Sequence, residues 1–353
     1  MPRIRISPAD LRAEVATMMQ KLSAGISTLQ AAREVELGSC VRRVVLKIDN
    51  VVLYHYQALT SSAKSVPVLI VYALVNRPDM ADLQSDRSLI RSLLDRGLDI
   101  YLIDWGYPDG ADRALTLEDY ICRYIDAAVD YVGAANDTHE VNLLGICQGG
   151  TFSVCYSALN PRKVRNLITT VTPIDFHTQD DILSHLFRHV DVDLLVDSSG
   201  NISGDLLNMI FLSLKPFRLA QQKYVHMVDG LDDEETTRMF MRMEKWIFDS
   251  PALAGAAFRQ FARGFYQQND LIKGNITIGG RRVDLNALRM PILNIYARDD
   301  HLVPPAAALA LGDYAGSDDY RALEFPGGHI GLYVSSRAHA LVPEAIREWL
   351  AER

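Results

Sequence analysis

The residues able to do chemistry gather around one thiol. Val141-Asn-Leu-Leu-Gly-Ile-Cys-Gln-Gly-Gly150 reads as a short apolar strand that breaks at Gly145, presents Cys147 and turns through Gly149 and Gly150. Thr151 to Ala158 continues it as a helix. The pattern is the G-x-S-x-G nucleophile elbow with cysteine in the serine position. Such a turn holds the nucleophile in strained dihedrals and brings neighbouring backbone close, where a Cβ would obstruct it. It also aims the side chain at a helix N-terminus, whose N–H groups and dipole favour a thiolate.

A thiol with a reference pKa near ~8.5 is mostly protonated at neutral pH, so an acyl-transfer nucleophile needs a base. After an elbow of this kind the partners follow in the order nucleophile, acid, histidine. Arg298-Asp-Asp-His-Leu-Val-Pro-Pro305 follows a late strand and offers Asp299, Asp300 and His301. The two aspartates compete, and spacing hardly separates them. His301 either orients or hydrogen-bonds beside the acid, or merely packs. Phe325-Pro-Gly-Gly-His-Ile-Gly331 supplies His329, with glycines that let a loop fold back toward the elbow. Ala73-Leu-Val-Asn76 follows another strand, and it either supplies an oxyanion N–H beside that of Gln148 or is an ordinary strand-to-helix turn. Cys155, two helical turns past Cys147, reads as core packing, and Cys40 and Cys122 as structural thiols.

These residues need a rigid frame. Residues 8–37 read as a helix, and Val44–Tyr56 as a strand pair turning at Ile48-Asp-Asn50. Buried strands are expected at Val66–Tyr72, Asp99–Asp104, Val141 onward and Val164–Val171, with helices over roughly 84–96 and 116–134 between them. Strands alternating with helices of this length imply a parallel sheet covered on both faces. The alternation stops at Pro173. Residues 176–275 read as helical, and strand sequence returns at Met290–Tyr296 and Tyr320–Phe325. The expected organisation is a core of 1–175 and 276–353 with a helical cap of 176–275 over the carboxyl ends of the strands.

Composition bounds the rest. The chain has 353 residues, 48% apolar and 23% charged, which is ordinary for a globular enzyme. A formal charge of −8 with no basic stripe argues against nucleic acid as a partner. Four scattered cysteines and the lack of an apolar leader suggest a reducing cytoplasm, and no apolar run reaches the roughly 18 residues of a membrane span.

With these motifs in view, the chain resembles the polyhydroxyalkanoate synthases, specifically the catalytic subunit of the class III, two-component enzymes. The resemblance runs over nearly the whole chain from Val51. It rests on Val71-Tyr-Ala-Leu-Val-Asn-Arg-Pro78, Ile103-Asp-Trp-Gly-Tyr-Pro108, Gly145-Ile-Cys-Gln-Gly-Gly150, Met243-Glu-Lys-Trp-Ile-Phe-Asp-Ser-Pro251, Asp300-His-Leu-Val-Pro-Pro305 and Pro326-Gly-Gly-His-Ile-Gly331. Gln148 looks like class III, since class IV relatives carry methionine there. One departure is Arg77-Pro-Asp-Met-Ala-Asp82, where the family usually has a larger residue after the proline.

The resemblance implies an α/β-hydrolase fold with an inserted helical cap. It implies Cys147 as nucleophile, His329 as base and Asp300 rather than Asp299 as the carboxylate, with backbone oxyanion donors at Gln148 and Val75. The implied substrate is an (R)-3-hydroxyacyl-CoA, most plainly 3-hydroxybutyryl-CoA, polymerised with release of CoA and without a metal or other cofactor. It further implies an E-type second subunit, a homo-oligomer and association with polyester granules in the cytoplasm. The competing readings are a cysteine-dependent α/β-hydrolase, such as a thioesterase or lactone hydrolase, and a non-catalytic partner protein.

Overall fold

A computed structural model describes residues 35–57, 66–214, 227 and 233–353. The expected helix of 8–37 falls mainly outside these residues, and 35–37 are not helical. The chain divides into two compact units: the chain up to Leu37 with Asp205–Asp249, and Gly38–Gly204 with Ser250–Arg353.

Every candidate site residue lies in the second unit, which is built on eight strands: β1 (Arg42–Ile48), β2 (Val51–Tyr56), β3 (Val68–Val71), β4 (Ile100–Asp104), β5 (Val141–Ile146), β6 (Val164–Thr170), β7 (Ile292–Ala297) and β8 (Tyr320–Phe325). They form one sheet in the order β1-β2-β4-β3-β5-β6-β7-β8. β1, β2 and β4 pair antiparallel, and all pairings from β4 through β3 to β8 are parallel. The expectation of a mostly parallel sheet is borne out. Its physical basis is visible in burial: all residues of β3, β4 and β5 are buried, as strands covered by helices on both faces must be. At the edge, β8 exposes Arg321, Ala322 and Glu324.

The buried sheet also carries polar side chains. Asn294 in β7 donates to the Ala308 carbonyl at 2.8 Å and accepts from the Thr169 hydroxyl at 2.9 Å, which fixes β7 beside β6. Two expected elements differ in detail. The helix over 84–96 begins only at Leu89, because Asp82–Gln84 and Arg87–Ser88 pair as a short hairpin and Ser88 caps Leu89–Asp95 by accepting from the Arg91 N–H. The helix over 116–134 is wound wider through Asp119–Ile125 before it continues as Asp126–Ala135.

The first unit contains the helix Glu234–Phe248. Asp233 caps it, Glu234 and Glu235 occupy its first turn and Lys245 its last, the arrangement that suits the helix dipole. Lys245 donates to the Val35 carbonyl at 2.8 Å and Arg242 to that of Glu36 at 3.1 Å. Asn208 donates to the Ile247 carbonyl at 2.7 Å.

Candidate active site

The parallel strands end together, and the loops leaving them meet. Cys147 follows β5 directly and caps the helix Gln148–Leu159 with φ 53° and ψ −125°. A left-handed φ is costly for a residue with a Cβ, and here the surroundings enforce it. The Cys147 N–H donates to the Thr170 carbonyl at 2.9 Å, and the Gly150 N–H donates back to the Cys147 carbonyl at 2.9 Å.

The flanking glycines are required by contact. A Cβ on Gly149 would run into the backbone of Val71 and Tyr72 at the end of β3, and one on Gly145 would run into the Cα of Gly150. Backbone cannot rotate away as a side chain can. Gly149→Ala is therefore expected to lower stability in urea unfolding by about 3 kcal/mol, the upper range of overpacking costs, and to take activity with it. A change below about 0.5 kcal/mol, the range of neutral surface substitutions, would show that the elbow has room to spare.

The acid and the histidine arrive on adjacent loops. Asp300 sits just past β7 and His329 just past β8. The two loops are tied by Arg298 N–H to the Phe325 carbonyl and Asp299 N–H to the Gly327 carbonyl, both at 2.9 Å. One Asp300 oxygen accepts from the Leu302 and Val303 N–H groups at 2.9 and 3.0 Å, and the other meets Nδ1 of His329 at 2.7 Å. Both side chains are buried. His329 also lies within electrostatic reach of Cys147. With Nδ1 on the carboxylate, Nε2 is the ring nitrogen left to serve as a base.

Burial opposes a charge on His329, but the Asp300 carboxylate and the Cys147 sulfur together outweigh it and raise the imidazole to about 10. The structure thus brings Cys147, His329 and Asp300 together. Asp299 points outward, its side chain 66% exposed. His301 is half-buried in the same loop, and it is the ring of His329 that meets the Asp300 carboxylate.

Gln148 opens the elbow helix, so its N–H is one of the first-turn donors that no intrahelical carbonyl can satisfy. Its side chain does something sequence reasoning missed: Oε1 accepts the Leu74 N–H at 3.1 Å. The next N–H, that of Val75, has no hydrogen-bond partner among the described residues. Tyr72, Tyr266 and Tyr333 stand within the field of Cys147, and burial above all holds their hydroxyls protonated. Tyr333 is anchored to the Thr170 hydroxyl at 2.8 Å. Among the described residues no cluster of three or more histidine, cysteine or acidic side chains could hold a metal ion. No described helix is long and apolar enough to cross a membrane.

The sheet order and the elbow between β5 and its helix define an α/β-hydrolase, and the α/β hydrolase fold family matches residues 66–336. Among solved structures, a bacterial membrane phospholipase A superposes with a TM-score of 0.53 at 14% identity, covering 98% of this chain and 97% of that one. A monoacylglycerol lipase from Paleococcus ferrophilus gives 0.52 at 17% identity, covering 81% and 96%. At such identities the likeness concerns the fold alone.

Sequence relatives are more particular. The poly(3-hydroxyalkanoate) polymerase subunit PhaC of Allochromatium vinosum is 55% identical over 99% of both chains. That of Thiocystis violacea is 52% identical over 100% of both, and that of Synechocystis sp. is 50% identical over 96% of this chain and 92% of its own. The chain belongs to the poly(3-hydroxyalkanoate) polymerase subunit PhaC family, on its class III branch. Members of this family are enzymes of the acyltransferase type.

Proposed function

We propose that this chain polymerises (R)-3-hydroxyacyl units from their CoA thioesters, with Cys147 carrying the growing acyl group. The observation that carries the reading is the buried Asp300–His329 pair standing beside Cys147 at the elbow. In the first half-reaction His329 takes the Cys147 proton and the sulfur attacks the thioester carbonyl. The resulting oxyanion is held by the N–H groups of Gln148 and Val75. Collapse of this intermediate breaks the bond to CoA sulfur, and the His329 imidazolium returns its proton to the departing thiolate. In the second, His329 draws the proton from the 3-hydroxyl of another acyl unit, whose oxygen attacks the acyl-enzyme. An ester forms and Cys147 leaves as thiolate. Asp300 orients His329 throughout and helps activate the hydroxyl. His301, beside Asp300, is proposed only as a supporting group.

Thioester exchange between Cys147 and CoA keeps the acyl group activated, and the buried setting of His329 and Asp300 favours ester formation over hydrolysis. The scheme uses no cofactor beyond the CoA thioester that is its substrate. The test is to incubate the purified chain with (R)-3-hydroxybutyryl-CoA and follow CoA release together with turbidity. Steady release of free hydroxy acid with no polymer would favour the thioesterase or lactone-hydrolase reading instead.

We extend the proposal to an E-type partner subunit, to self-association, to work at granule surfaces in the cytoplasm, and to segment 176–275 acting as a cap that opens for acyl-CoA. A partner can favour an open state only by binding it more tightly. The isolated chain is thus expected to show a lag in CoA release that shortens when the partner is added, with altered hydrogen exchange in the described part of 176–275. Full activity without a lag, and exchange indifferent to the partner, would remove the case for this regulation.

A further inference from the structure

The loop that carries Val75 is anchored at three points. Before Val75, the Leu74 N–H is taken by the Gln148 side chain at 3.1 Å. After it, Asn76 has a left-handed φ of 61° and donates from Nδ2 to the Ser250 hydroxyl at 2.6 Å. Beyond that, Arg77 grips Asp104 at the end of β4 with both Nη atoms, at 2.7 and 2.5 Å to the two carboxylate oxygens. The side chains of this pair are 12% and 4% exposed. Asp104 also accepts the Gly106 N–H at 2.9 Å, and the Arg77 guanidinium lies 4.6 Å from the centre of the Tyr107 ring.

A buried ion pair adds little net stability, because desolvating both charges offsets most of their attraction. What a two-pronged arginine fork does contribute is direction, since both N–H···O bonds must hold at once. We infer that the Arg77–Asp104 pair is a positioning device for the reaction: it holds the loop so that the Val75 N–H faces the oxyanion formed at Cys147. The inference rests on the proposed acyl transfer at Cys147. Arg77 and Asp104 act through the loop and touch no reacting atom.

The device makes a distinction that a merely structural pair would not. Forming the acyl-enzyme passes through an oxyanion, whereas alkylation of Cys147 by iodoacetamide does not. Two variants test it. Arg77→Lys keeps the charge but loses the fork. The double variant Arg77→Met/Asp104→Leu removes both charges, so that neither is left buried alone.

In single-turnover reactions with (R)-3-hydroxybutyryl-CoA, the double variant is expected to form acyl-enzyme on the order of 100-fold more slowly, the cost of a misplaced donor, and Arg77→Lys roughly 10-fold more slowly. Alkylation of Cys147 should stay near the wild-type rate, and KM for the acyl-CoA should barely move. Acylation at the wild-type rate in both variants would overturn the inference. So would parallel losses of acylation and alkylation, which mark a general loosening of the site. If the wild-type chain forms no acyl-enzyme at all, the acyl-transfer reading itself fails.

Discussion

Cys147→Ala is expected to abolish polymer formation and to lower CoA release by roughly 10⁵-fold or more, the scale on which loss of a nucleophile acts in triad enzymes. Cys155→Ala and Cys40→Ala should retain most activity. All four thiols are free, so any of them is chemically available in principle, and their surroundings separate them. Cys155 is fully buried, and burial pushes its thiol far up. Burial, aided by the Asp82 carboxylate, raises Cys40 to about 11, and burial also raises Cys122. Cys147 instead caps the elbow helix beside the His329 imidazole. Cys147→Ser should be severely impaired too, because a hydroxyl is far less acidic than a thiol and His329 is matched to the thiol. Acyl-CoA labelling with analysis of the modified peptide checks the assignment directly. Robust polymer from Cys147→Ala would sink it.

The second large effect divides His329 from Asp300. Removing the base should slow single-turnover acylation by about 10³-fold, the range of general acid–base catalysis, because the thiol then keeps its proton. Asp300→Asn should still acylate in a single turnover but lose steady elongation by roughly 100-fold, since activation of the incoming hydroxyl is what it gives up. Asp299→Asn should be near wild type, its side chain being exposed beside Arg298. Equal loss of acylation in His329→Gln and Asp300→Asn would reduce Asp300 to an orienting role. A worse result for Asp299→Asn would show that the acid has been misassigned.

The same pair sets a pH dependence. Burial depresses the His329 imidazole, while Asp300 and, after it, Cys147 raise it, for a net value of about 10. Its unfolded value is near ~6.5, so the folded value lies above the unfolded one. The contribution of this charge to stability is fully present below about 6.5 and is lost as pH rises toward about 10. In Asp300→Asn the largest raising influence is gone and burial remains, so the imidazole should titrate at lower pH. Imidazole proton resonances followed through a pH titration read this shift. A His329 value unchanged in Asp300→Asn would mean that the carboxylate is not what holds the proton.

How much of this was written in the chain depends on the kind of information each feature needs. The elbow at Gly145–Gly149, the order of cysteine, aspartate and histidine, and the alternation of apolar strands with helices are local patterns. Sequence by itself determined them, because a tight turn admits only glycine where backbone touches backbone and a doubly covered strand must be apolar throughout. The start of the helix at Leu89 was less legible. Asp82–Gln84 and Arg87–Ser88 become a hairpin only because Asp82 is drawn inward, where it accepts from Ser39 and Cys40, more than forty residues away in sequence.

The choice between Asp299 and Asp300 belongs to the tertiary structure for the same reason. Neighbouring residues of one type look alike in a linear pattern. The Asp299 N–H is bound by the Gly327 carbonyl of the adjoining loop, and Asp300 is the one turned inward, onto His329 and the Leu302 and Val303 N–H groups. The pairing of Arg77 with Asp104 and the capture of the Leu74 N–H by Gln148 were likewise invisible in the chain, although both motifs stood out there. These contacts join the ends of β3, β4 and β5, and only the parallel sheet, by setting those ends side by side, decides which of the many polar residues in the loops can meet.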